Sequence, residues 1–161
     1  MRRDGRGTSV LLVAALLISS ASFATSPEPQ SKEAKGITAL VDRAAGLIEK
    51  KGKDVFPEFK KKGGEWFKDD TYLFVARMDG VTLVNAAFPD EEGKNRLDLK
   101  DANGKPFVRE IIDMLKTRDS GWVDYAWPKP SETRPSKKSA YVRKAKLDKD
   151  TVYVGAGIYT N

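Results

Sequence analysis

Two β-rich runs, Tyr72 to Met78 and Val81 to Ala87, meet at Asp79-Gly80. No other feature constrains the fold as much. An Asp-Gly pair between such runs predicts a β-hairpin, because a type I′ turn needs positive φ at both central positions. Antiparallel sheet is therefore written into the middle of the chain. The segment before it has a different period. Ile37, Leu40, Val41, Ala44, Leu47 and Ile48 recur at spacings of three and four, which is one face of a helix. Gly52 interrupts that face, and a short turn carrying Val55, Phe56 and Phe59 follows. Lys60-Lys61-Lys62 and Gly63-Gly64 read as a solvated loop.

Beyond the hairpin, residues 89–99 form a charged loop and Asp101-Ala102-Asn103-Gly104 a turn. Pro106 suits the first turn of a helix, whose apolar stripe is Phe107, Val108, Ile111, Ile112 and Leu115. Period two returns in Trp122 to Trp127 and is stopped by Pro128 and Pro130. Ser139 to Lys146 and Thr151 to Tyr159 give two further strands around an Asp148-Lys149-Asp150 turn. The order is helix, hairpin, helix, three strands. It predicts an α+β fold with a five-stranded antiparallel sheet, a long N-terminal helix on one face, and a short helix plus loops over the other.

The N-terminus stands apart from this pattern. Arg2, Arg3 and Arg6 precede an apolar run from Val10 to Ile18, and Ser22-Phe23-Ala24 fits the small-x-Ala rule for cleavage. A helix of that run is about 14 Å long, half of a bilayer core. A cleaved secretory signal over residues 1–24 is expected, then a polar tether over residues 25–34 and one domain over residues 35–161. The expected location is the periplasm, with no membrane span left after cleavage.

Composition removes several chemistries. The chain has 161 residues with no Cys and no His, so His-dependent triads, Cys nucleophiles, Cys/His zinc sites and c-type haem attachment lack their key atoms. Asp69-Asp70, Glu91-Glu92 and Asp98 read as loop charges with no base or nucleophile at a telling spacing. No enzyme activity, cofactor or metal is expected. Residues 129–149 hold eight Lys or Arg against Glu132 and Asp148, a patch that would raise the local concentration of anions. The aromatic-basic interleaving of a nucleic-acid fold is missing, so nucleic acid is not an expected partner.

Five segments, in order, carry a family resemblance. They are Tyr-x-Phe-Val-x-x-x-Asp-Gly (72–80), Asp-Ala-Asn-Gly-Lys-x-Phe-Val-x-Glu (101–110), Gly-Trp-Val-Asp-Tyr-x-Trp-Pro-x-Pro (121–130), Lys-x-x-Tyr-Val (138–142) and Val-Gly-Ala-Gly-Ile-Tyr (154–159). Together they resemble the single Cache domain, type 2. The resemblance implies a PAS-like extracytoplasmic sensor fold of the kind found on chemoreceptors and sensor kinases. It also implies binding of small organic acids such as acetate, propionate or pyruvate. No transmembrane helix or signalling module follows the last strand, so a stand-alone exported form is expected.

A small carboxylate needs charge-assisted donors and an apolar wall. Family position points to Tyr125, Tyr141 and Lys138 as ligand-binding residues, with Trp122 beside them. Arg77 and Asn85 on the first hairpin are further candidates. Strand alternation sets Trp122 and Tyr125 on opposite faces unless a bulge intervenes, and it separates Lys138 from Tyr141 unless Lys138 belongs to the loop. Gly155 and Gly157 mark close approach by a neighbour or ligand, or crowding under the N-terminal helix. The expected function is a sensor-type module for a small organic anion, acting with a membrane receptor or sensor kinase. The alternative is an interaction module, for example a homodimer paired through the long helix, with no small ligand.

Overall fold

Ser31 begins the first helix by accepting a hydrogen bond from the Ala34 N–H at 3.0 Å, which satisfies one of the free donors of the first turn. The helix, α1, runs Lys32–Lys51, with Glu33 in its first turn and Lys50 and Lys51 in its last, each placed favourably along the helix dipole. It starts before the apolar stripe does, so residues 32–34 of the expected tether are helical. This computed structural model describes residue 29 and residues 31–160. The expected signal segment and its cleavage point lie outside the described residues.

After α1 come the short α2 (Phe56–Phe59) and a small hairpin of β1 (Phe67–Lys68) and β2 (Thr71–Tyr72). The main hairpin is β3 (Phe74–Arg77) with β4 (Thr82–Asn85). Helix α3 is Phe107–Thr117, and the chain ends in β5 (Ser120–Pro128), β6 (Pro135–Leu147) and β7 (Asp150–Thr160). The sheet order is β4-β3-β7-β6-β5 with antiparallel neighbours. The fold is the expected α+β arrangement, with α1 behind a five-stranded sheet and α3 and loops in front.

Two local expectations are corrected. The first strand breaks at Leu73, so Tyr72 belongs to β2 and Phe74 opens β3. The turn is also longer than type I′. Arg77 N–H donates to the Val81 carbonyl and Gly80 N–H to the Arg77 carbonyl, so the loop is Met78-Asp79-Gly80. Only Gly80 (φ 92°) takes positive φ there, as a three-residue hairpin loop requires.

α1 turns Ile37, Leu40, Val41, Ala44 and Ile48 onto the back of the sheet, against Tyr141 and Ala145 of β6 and Val152, Val154 and Ala156 of β7. Truncating a side chain such as Ile48 to Ala would cost about 2–5 kcal/mol. α3 presses Phe107, Val108, Ile111 and Leu115 onto the front, against Val123, Tyr125, Ala140, Val142 and Tyr153. The strap of residues 89–99 borders β4 through Thr82 N–H to the Lys94 carbonyl and Arg96 N–H to the Gly80 carbonyl, which covers an open sheet edge.

Candidate functional site

Alternation along the strands fixes which side chains face front. β6 pairs Lys138 with Tyr125 of β5 and with Tyr159 of β7, so these three share one face. β4 carries a bulge at Leu83: Thr82 pairs with Ala76 and Val84 with Val75. The extra residue lets Thr82 and Asn85 both face front while Val84 points back. The result is a cavity of about 50 Å³ between the sheet, α3 and the strap. Its walls are Tyr72, Phe74 and Asn85 on one side, Tyr125, Trp127 and Phe107 on another, with Glu91 and Arg96 from the strap.

Lys138 lies at the back of this wall and is 1% exposed. Its Nζ sits 4.0 Å from the Tyr72 ring centroid, 5.1 Å from Tyr159, 5.5 Å from Phe74 and 6.0 Å from Tyr125. Three of those four rings also wall the cavity. Gly157 makes the position possible, because a Cβ there would meet the Lys138 Cε at 2.8 Å and the Ser139 carbonyl at 2.7 Å. Gly155 leaves room for the Phe74 ring in the same way. These glycines are therefore crowded by the front face, not by the N-terminal helix.

The hydrogen bonds around Lys138 have a direction. The Tyr159 hydroxyl donates to the Pro128 carbonyl at 2.6 Å, which uses its single proton. The Tyr72 hydroxyl, 3.3 Å away, must then donate to Tyr159. The Tyr72 oxygen in turn accepts from Lys138 Nζ at 2.9 Å. Burial drives the pKa of Tyr72, Tyr125, Tyr153 and Tyr159 upward, so all four stay neutral at physiological pH. Among the described residues Lys138 thus has no anionic partner, and burial alone pushes its amine down to about 7. Arg96, which does line the cavity, is held by Glu91 in a two-pronged pair at 2.6 and 2.8 Å.

The walls are braced from outside. Phe107 stacks on Tyr125 at 4.3 Å between centroids and 9° between planes. Asp101 accepts from the Asn103 and Lys105 N–H groups of its own turn and from the Ala126 N–H of β5 at 2.8 Å, between Tyr125 and Trp127. Burial pushes its carboxyl up, but the three backbone donors outweigh that and hold the pKa below the usual value. Asn85 uses its Oδ1 to accept from the Phe88 N–H, leaving its NH₂ group as a donor.

The structure divides the six candidate residues. Tyr125 and Asn85 line the front cavity, and Lys138 lies behind its aromatic wall, against the Tyr72 and Tyr125 rings. Trp122 and Tyr141 form a cross-strand pair on the opposite face, their rings 5.5 Å apart in the core under α1. No bulge in β5 or β6 reconciles the two sets, and Lys138 lies within β6 rather than in the preceding loop. Arg77 is exposed and ion-paired with Asp79 at the hairpin tip, away from the cavity. Tyr72, Phe74, Trp127, Tyr159, Glu91 and Arg96 were not anticipated at the site. For Tyr159 a signal existed: Tyr153, Gly155, Gly157 and Tyr159 share one parity in β7.

Comparison with known proteins agrees with this architecture. A model of the Cache domain, dCache_2, matches residues 49–161. The chain belongs to the Cache domain family, whose members are extracytoplasmic, non-catalytic ligand-binding sensor modules. It is 36% identical over 90 residues to the sensor histidine kinase MctS of Rhizobium johnstonii, covering 56% of this chain and 19% of that protein. It is 24% identical over 96 residues to the methyl-accepting chemotaxis protein McpP of Pseudomonas putida, covering 59% of this chain and 17% of that protein. The chain thus spans less than a fifth of the length of these relatives. A solved Cache chemosensory domain, described as recognising carboxylic acid, superposes with a TM-score of 0.69 at 23% identity, covering 80% of this chain and 94% of that one. Among the described residues, no helix is long and apolar enough to cross a membrane.

Proposed function

We propose that this protein is an exported sensor module that binds one small organic acid in the front cavity, with Lys138 as the charge partner. The observation that carries this reading is a buried amine with no anion against it among the described residues, set behind a cavity walled by aromatic rings. One Lys138 N–H is committed to Tyr72, which leaves two for a carboxylate. Tyr125 supplies apolar wall and the Asn85 amide a directed donor. Trp122 and Tyr141 have a different role, holding α1 on the back of the sheet.

Size narrows the class. A cavity of about 50 Å³ holds roughly four water-sized groups, which fits acids of the acetate, propionate or pyruvate class. The solved Cache domain described for carboxylic acid recognition supports the same class. In this reading residues 1–24 direct export to the periplasm, residues 35–161 form the domain, and a membrane receptor or sensor kinase reads its ligand state, as the two relatives favour.

A thermal-shift screen against acetate, propionate, pyruvate, amino acids and simple amines tests the proposal. A ligand at about a hundred times its Kd stabilises the fold by about 2.7 kcal/mol, so one or more acids raises the melting temperature and amines do not. A screen in which no acid raises it refutes the reading and favours a module that works by protein contact.

A further inference from the structure

The state of Lys138 before any ligand arrives has a consequence for what the site detects. Every element packed against Nζ presents an uncharged group: Tyr72 from β2, Phe74 from β3, Tyr125 from β5, and Gly157 and Tyr159 from β7. The Glu91–Arg96 pair on the strap is closed on itself by two charge-assisted hydrogen bonds. Asp70, which pairs with Lys129 at 3.7 Å, and Glu132 act on Tyr159 and not on Lys138. Ring faces favour a cation, but by less than the cost of stripping an ammonium of its water.

We propose that the site takes up its acid together with one proton, so that it responds to the protonated acid and not to the anion alone. This rests on the carboxylate reading above. In solution near neutral pH the ligand is the anion, and solvent supplies the proton. The balance is R–COO⁻ plus Lys138–NH₂ plus H⁺ giving R–COO⁻ paired with Lys138–NH₃⁺, with no covalent bond to carbon formed or broken. The incoming carboxylate is the missing opposite charge, and it raises the amine's proton affinity. Burial of the amine in the free protein, which pushes it down to about 7, sets where the coupling begins.

Linkage then fixes the pH dependence. The protonated fraction of free Lys138 falls tenfold for each pH unit above its midpoint, so Kd weakens roughly 100-fold between about pH 6 and pH 9. A permanently charged lysine gives a flat profile over that range.

Calorimetry with propionate on the wild-type protein, in two buffers of different ionisation enthalpy, reads the proton directly. About one proton is taken up per propionate near pH 9 and almost none near pH 6. Propionate binding with a pH-independent Kd and no proton uptake overturns the inference and leaves the carboxylate reading intact. A second measurement needs no ligand. The ¹³Cε resonance of Lys138 in lysine-labelled protein titrates with a midpoint near 7 if the inference holds. A midpoint near the ordinary lysine value of about 10.4 overturns it, whether or not any acid binds.

Discussion

Replacing Lys138 with Met should make the protein more stable near neutral pH, although it removes a buried hydrogen bond. In the folded protein the amine is pushed from 10.5 to about 7. Folding therefore disfavours the charged form. The penalty is fully present below the folded midpoint and is relieved as pH rises toward the unfolded value. Each pH unit of this window corresponds to about 1.4 kcal/mol, so the wild type gains roughly 3 kcal/mol between about pH 7 and pH 9 from this group. Met fills a similar elongated volume without a charge and lacks that gain. For a domain of this size, roughly 3 kcal/mol is about 10 °C in Tm. Thermal unfolding of both proteins across that range isolates the effect, since other titrating groups cancel in the difference. The difference should favour the variant near pH 7 and shrink by about 10 °C toward pH 9. Parallel Tm curves would show that Lys138 is an ordinary solvated lysine and would refute the reasoning.

Three further outcomes follow from the same geometry. Asp101→Asn weakens three backbone clamps and should cost about 2 kcal/mol in urea unfolding. Because the folded carboxyl is held below its usual pKa, its stabilisation is present above the unfolded value of about 3.9 and is lost as pH falls below it; the wild-type advantage over Asn should vanish in acid. Gly157→Ala drives a methyl into Lys138 and the Ser139 carbonyl, so it should destabilise by about 1–3 kcal/mol and abolish the acid-dependent thermal shift. Tyr141→Phe and Trp122→Phe sit on the far face and should leave that shift unchanged. Trp122→Phe also removes an indole Nε1 that is buried without a partner, which offsets about 1–3 kcal/mol of its packing loss in chemical denaturation.

Much of the architecture was legible because its signals are local. The stripe from Ile37 to Ile48 announces α1, and the Asp79-Gly80 pair announces the hairpin. The site was less legible because it depends on phase. Lys138 looks like one more lysine in a basic stretch, and only pairing with Tyr125 and Tyr159 turns it inward. Tyr141, three residues on, faces α1 for the same reason. The bulge at Leu83, which sends Thr82 and Asn85 to one face, leaves no mark in hydropathy. The β1–β2 hairpin was hidden because Asp69 takes positive φ, which glycine ordinarily signals. Arg96 and Glu91 looked like loop charges because their pairing depends on how the strap folds back on itself, and a spacing of five residues is neither a helix nor a strand signal.

The most direct test of the central claim is a crystal structure of the protein grown with propionate. The account predicts a carboxylate in the front cavity, about 2.8 Å from Lys138 Nζ, with its methyl end among Phe74, Tyr125 and Phe107. A carboxylate bound on the α1 face beside Tyr141, or a saturated crystal with the front cavity empty of ligand, would contradict it.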